Sequence, residues 1–328
     1  VSDAIIHVDN LVKKYGQLIA VDHISFDVAP GEIFGFLGPN GAGKTTTINI
    51  LCTLARPTSG KATLNGFDVV HQQNQVRHSI GLVFQDSSLD DRLTGMHNLS
   101  FHAMVYNMPT ALRRQRIEQV LKMVDLWDKR NNFVRTYSGG MKRRLELARG
   151  LLHYPKVLFL DEPTLGLDPQ TRNHIWEYVL QLQKQEGTTV FLTTHYMDEA
   201  EKASRIAIVD HGKLVAIDTP TQLKHLVGKD IVTLRTADNQ KAAEEIKSRY
   251  RAEVSPAGDQ LNFSVENGEE FLPKFIREFG VNISSISLRH PTLEDVFLKL
   301  TGREIREQDV GDSLSAQIRQ RGGGMRMH

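Results

Sequence analysis

Residues Gly38-Pro39-Asn40-Gly41-Ala42-Gly43-Lys44-Thr45-Thr46 leave little freedom to the fold around them. They follow Ile33-Phe34-Gly35-Phe36-Leu37, an apolar run that reads as a buried strand, and precede Thr47-Ile48-Asn49-Ile50-Leu51, which opens a helix. Gly-x-x-x-x-Gly-Lys-Thr between a strand and a helix is a phosphate-binding P-loop. Its glycines let successive backbone N–H groups converge on phosphate oxygens at the positive end of a helix dipole. Lys44 supplies a point charge for the β- and γ-phosphates, and the Thr45 hydroxyl is placed to ligate Mg²⁺. A strand-to-helix turn with a chance lysine would not need the whole motif, so the stretch predicts a site for a nucleoside triphosphate.

A second feature supports a sheet with its ligand edge at the carboxyl ends of the strands. Val157-Leu158-Phe159-Leu160 suits a central parallel strand, and Asp161-Glu162 follows at its end. Asp161 is expected to hold Mg²⁺, and Glu162 to face the γ-phosphate and polarise the attacking water. The competing reading is an acidic cap for the next helix. Thr188 to Thr194 forms a further buried strand ending in His195, a residue more often structural but here on the same edge, where it is expected to contact the γ-phosphate.

The remaining chain is organised around these strands. Ile5 to Val12 and Ile19 to Val28 form a hairpin around Tyr15-Gly16-Gln17, with Tyr15 readable as a hairpin aromatic or as a face for an adenine ring. Ala62-Thr63-Leu64 closes at the turn Asn65-Gly66, and Ser79 to Phe84 is another apolar run ending at Gln85. From Asp86 to Val134 the pattern is helical, with Leu112, Ile117, Val120, Leu121 and Val124 on one face and Arg113, Arg114 and Arg116 on a solvated one. Ser138-Gly139-Gly140 heads a helix and offers N–H groups to an anion, although Ser-Gly-Gly alone is a weak signal. Pro169 opens a helix, and Arg205 to Asp210 with Lys213 to Asp218 forms an edge hairpin. Thr219 to Val227 carries cap signals at both ends and closes the first domain at Gly228.

Residues 229–301 read as strand, helix, hairpin, helix, strand and helix, a small α+β domain with a ferredoxin-like layout and no catalytic constellation. Residues 302–328 lose apolar content and are expected to form a flexible tail.

Bulk composition narrows the function. Forty basic and thirty-nine acidic residues nearly cancel, so no basic field for nucleic acid is expected. Cys52 is the only cysteine, which excludes an intramolecular disulfide and fits a reducing cytoplasmic setting. No apolar run approaches the roughly 18 residues of a membrane span. The amino-terminal residues do not read as a signal peptide. Any membrane role is expected to come through a partner.

These pieces, in this order from Ile5 to Gly228, resemble the nucleotide-binding subunit of ABC transporters. The resemblance implies a P-loop NTPase of the ABC type: a RecA-like core, an antiparallel β subdomain and a helical subdomain at about 86–150, over residues 1–228. It assigns Tyr15 to adenine stacking and Gly38 to Thr46 to the Walker A loop. Gln85 then joins Mg²⁺ and the attacking water to a transmembrane partner, Asp161 and Glu162 end Walker B, Gly166 to Asp168 is the D-loop, and His195 is the switch histidine. Ser138, Gly139 and Gly140 occupy the signature, which in that family contacts ATP held by the Walker A loop of a second subunit. Tyr137 and Met141 replace the usual Leu and Gln there, with weaker closure expected. The Ser-Gly-Gly-Met-Lys-Arg-Arg-Leu run and Pro291 to Phe297 are similar to the daunorubicin-resistance branch of bacterial exporter ATPases.

The implied activity is ATP hydrolysis with Mg²⁺, driving a separate multi-span membrane permease from the cytoplasmic face, in a dimer with a second copy or a homologue. A soluble ATP-driven switch and a non-hydrolysing adaptor are the alternatives. The first lacks the paired nucleotide domains or metal cysteines expected of it, and the intact Lys44, Asp161, Glu162 and His195 argue against the second.

Overall fold

The computed structural model describes residues 4–302, and all but the first residue of the expected tail at 302–328 lies outside them. Two compact units divide the described chain, 4–219 and 220–302.

The first unit begins with β1 (Ile6–Tyr15) and β2 (Leu18–Val28), paired antiparallel around Gly16 and Gln17. Next come β3 (Ile33–Leu37), α1 (Lys44–Leu51), β4 (Ser59–Leu64) and β5 (Phe67–Asp68). Then α2 (Gln73–Ser79), β6 (Ile80–Val83), α3 (Gly95–Val105), α4 (Thr110–Met123) and α5 (Gly139–Leu151) follow. The unit is completed by β7 (Val157–Asp161), α6 (Pro169–Glu186), β8 (Thr189–Thr194), α7 (Met197–Ala200), β9 (Arg205–Asp210) and β10 (Lys213–Asp218).

Two sheets result. One is antiparallel, in the order β2-β1-β4-β5; the other runs β10-β9-β3-β8-β7-β6, parallel except for its edge strand β10. Every residue of β3, β7 and β8 is buried, which explains why these strands read as unbroken apolar runs. Phe26 of β2 meets Phe34, Phe36 and Phe191 at ring-centroid distances of 5.5, 5.6 and 6.1 Å, locking one sheet onto the other. Each such fully buried ring contributes about 2–3 kcal/mol.

Register decides where the site forms. Leu37 of β3 lies opposite Thr194 of β8, and Thr193 lies opposite Asp161 of β7. The chain therefore leaves three adjacent strands side by side, at Gly38, Glu162 and His195.

The helical stretch departs from expectation in two respects. Leu112 is 53% exposed, whereas Arg116 is 1% exposed rather than solvated. Arg116 Nη1 and Nη2 donate to Glu186 at 2.8 and 3.0 Å, Nη2 also donates to Leu151 O at 2.8 Å, and the guanidinium stacks on Tyr154. A carboxylate 70 residues away draws this cation inward.

The second unit starts with α8 (Pro220–Val227), the helix expected to close the first domain. Its Leu223 is fully buried, and its terminal carbonyls at Leu226 and Val227 accept from Lys299 Nζ at 2.8 and 3.2 Å. Then follow β11 (Asp230–Thr236), α9 (Asn239–Tyr250), β12 (Val254–Ala257), β13 (Gln260–Val265), α10 (Gly268–Glu278), β14 (Ile283–Arg289) and α11 (Leu293–Thr301). The sheet order β12-β13-β11-β14 is antiparallel throughout, the ferredoxin-like arrangement. Val232, Leu234, Ala242, Ile246, Phe263 and Phe275 form its own core. Thr292 and Asp295 cap α11 reciprocally.

Candidate functional site

The loop between β3 and α1 is shaped by its glycines. Gly43 has φ +99°, and a Cβ there would collide with the carbonyl of Ala20. The loop thus passes close under β2 and enters α1 with the first-turn N–H groups of Lys44, Thr45 and Thr46 free of intrahelical partners. Those groups open onto a cavity of about 430 Å³, lined also by Tyr15, Leu18, Ile19, Asn40, Gly41, Gln85, Glu162 and His211.

Lys44 turns back into its own loop. Its Nζ donates to Gly38 O at 2.8 Å and Pro39 O at 3.1 Å, and lies 3.2 Å from Glu162 Oε1. Burial pulls the Lys44 pKa down, and the carboxylates of Glu162 and Asp161 oppose that pull. Ala42 is buried in the turn, and its carbonyl accepts from Gly212 N at 3.1 Å.

The two carboxylates differ. Asp161 Oδ1 accepts from Thr193 Oγ1 at 2.5 Å and lies 3.4 Å from Thr45 Oγ1. Burial raises its pKa against those hydrogen bonds. Glu162 takes a left-handed backbone at φ +46°, which swings its side chain from the strand end toward Lys44 and His195. His195 Nδ1 sits 3.3 Å from Glu162 Oε1, off the axis of a hydrogen bond. Burial works against the charge of Glu162, but the neighbouring His195 and Lys44 outweigh it and hold the carboxyl below the usual range.

Ser138, Gly139 and Gly140 are elsewhere. Ser138 caps α5, its Oγ accepting from Met141 N at 3.3 Å, and Ser138, Gly140 and Met141 line a separate cavity of about 230 Å³ with Arg144, Thr171 and His174. Tyr137, the unusual residue before the serine, is buried and donates to Lys129 O at 2.8 Å. A larger cavity, about 750 Å³, lies at the amino ends of β7 and β8 beside Tyr154, Lys156, Thr188 and Thr189. Its two lining glycines, Gly66 and Gly187, sit in a strand-to-strand turn and at a helix carboxyl end rather than ahead of a helix.

Arg143 escaped the sequence reading. It is buried on α5 and spans the backbone around both carboxylates and Phe84. In sequence it is one of three consecutive basic residues, Lys142-Arg143-Arg144, with nothing to single it out.

Comparison with known proteins gives likenesses of three kinds. The ABC transporter family model matches residues 21–165, and a model described as the C-terminal domain of DrrA1-3-like ATP-binding proteins matches residues 219–301. The chain is 40% identical to the daunorubicin resistance ATP-binding protein DrrA2 of Streptomyces coeruleorubidus, over 94% of this chain and 98% of that one. It is 37% identical to the linearmycin resistance ATP-binding protein LnrL of Bacillus subtilis (strain 168), over 91% and 99%. The dimeric, post-hydrolysis structure of the ATP-binding cassette MJ0796 with ADP and Pi superposes with TM-score 0.60 at 28% identity, covering 65% of this chain and 98% of that one.

Proposed function

The chain belongs to the ABC transporter ATP-binding family, and from that premise we propose that it is the ATP-hydrolysing motor of an ABC-2-type exporter, acting on a separate membrane permease. The observation that carries the site assignment is the meeting of Lys44, Asp161, Glu162 and His195 at three adjacent strand ends beside one glycine-cradled cavity.

In this reading the Gly38 to Thr46 loop wraps the phosphates with the N–H groups at the start of α1. The exposed Tyr15, with Leu18 and Ile19, gives the base an apolar wall at the far end of the cavity. Thr45, Asp161 and Gln85 form an all-oxygen donor set that fits Mg²⁺. When bound there, Mg²⁺ would neutralise charge developing on the phosphate oxygens. The phosphates take over the Lys44 ammonium, which releases Glu162 from its 3.2 Å pairing. Glu162, ionised by its surroundings, then orients the attacking water and accepts its proton, while His195 faces the γ-phosphate.

Ser138 and Gly140 line a cavity of their own, so with Gly139 between them they would complete a nucleotide site on a second subunit, a copy or a homologue. Among the described residues no helix is long and apolar enough to cross a membrane, and the proposed location is the cytoplasmic face, held through the permease. DrrA2 and LnrL carry different antibiotics in their names at similar identity, which supports a reading in which cargo is chosen by the permease rather than by this chain.

One experiment tests the assignment. The tagged Glu162→Gln variant, isolated from detergent-solubilised membranes with Mg-ATP, should bind nucleotide, turn over at least about 100-fold more slowly, and bring a multi-span membrane protein with it. Unchanged turnover would remove Glu162 from the base role. Recovery of soluble partners alone would remove the transporter reading.

A further inference from the structure

Arg143 has five N–H donors and all five are used. Nε donates to Pro163 O at 2.5 Å, and Nη2 donates to Asp161 O and Glu162 O at 3.2 Å each. Nη1 donates to Phe84 O and to Glu146 Oε2, the latter at 3.0 Å. Glu146 carries the link onward, its Oε1 accepting from Ser88 N at 2.9 Å. Both side chains are nearly fully buried, at 7% and 2% exposure. One helix, α5, therefore grips the backbone of the two carboxylates and both ends of the 84–88 loop that bears Gln85.

We propose that Arg143, braced by Glu146, is a positioning residue for hydrolysis that fixes the backbone of Glu162 relative to Gln85. The inference rests on the roles given to Glu162 and Gln85 above. Its physical basis is the geometry of the guanidinium. A rigid planar fork can hold carbonyls from two loops in one plane, whereas a lysine ammonium has three donors at a single point and cannot span them. The residues Arg143 touches are the neighbours of the reacting groups, not the substrate, so its removal should alter turnover with little effect on nucleotide affinity.

The test is a double-mutant cycle on the full chain, measuring steady-state ATP hydrolysis and binding of a fluorescent nucleotide. Arg143→Lys is expected to lower kcat by about 10- to 100-fold, the loss expected when a catalytic group is displaced by about 1 Å, with KM within about threefold. Gln85→Ala should lower kcat as well. If Arg143 acts through the Gln85 loop, the double variant is no slower than the slower single variant. Losses that multiply, or an Arg143→Lys kcat equal to the parent, overturn the inference. A rise in KM alone also overturns it. Should Arg143→Lys fail to fold, Glu146→Gln replaces it in the same cycle, because one amide oxygen cannot serve both Arg143 and Ser88 N. Normal turnover in Gln85→Ala and Glu162→Gln would instead sink the site assignment itself, a result separate from the behaviour of Arg143.

Discussion

His153, just beyond α5, shows how tertiary surroundings set the chemistry of a single side chain. Its Nε2–H donates to Ile80 O at 2.7 Å, its ring stacks on Tyr106 at 3.8 Å, and its Nδ1 is buried without a partner. Burial pushes its pKa down to about 4, against the pull of the Ile80 carbonyl and with help from His78 and Arg116. The unfolded chain takes up a proton near pH 6.5 while the folded chain does not. Stability from this group is therefore complete above pH 6.5 and lost as the pH falls toward 4. His153→Gln keeps a donor for Ile80 and cannot titrate, so the drop in unfolding free energy from pH 7.5 to pH 5, measured by denaturant titration, should shrink by an amount on the order of 2 kcal/mol. His102, held at about 3 by burial, leaves part of the drop in place. The sequence made Lys44, Asp161 and Glu162 legible because their motif spacing encodes a ligand. It did not make Arg143, Glu146 or Arg116 legible, since a buried charge and a solvated one look alike until the distant partner is known.

At the level of elements, alternation and apolar runs located the strands well, and the register then brought Gly38, Glu162 and His195 together. The helices were harder to orient. The arginines of α4 were expected to face water, yet Arg116 is turned inward by Glu186 at the end of α6. Removing one partner of a buried pair strands the other charge in a low-dielectric setting. Glu186→Ala should therefore lower the unfolding free energy by about 3 kcal/mol. The exposed Arg114 on the same helix provides the contrast, because Arg114→Ala should stay within about 0.5 kcal/mol of the parent. Equal losses in urea titrations of the two variants would show that the pair contributes nothing specific.

For the molecule as a whole, the sequence reading closes the first body after α8, whereas the structure groups α8 with the second unit. Cap signals told where α8 begins and ends, not which core receives Leu223, and that choice depends on α11 some 70 residues later. A fragment spanning residues 220–302 should consequently show a cooperative thermal transition by circular dichroism, whereas one beginning at residue 229 should melt lower or not fold. Equal melting of the two fragments would return α8 to the first unit. Within that first unit, the order of the large sheet has a mechanical consequence. Strands β3, β8 and β7, which deliver the phosphate loop and the carboxylates, each have a neighbour on both sides, while β6, which delivers Gln85, is an outer strand bonded only to β7. Amide protons of β6 should exchange with deuterium sooner than those of β3 or β8, so a push from outside would enter through the compliant rim of the sheet and arrive at a stiff centre.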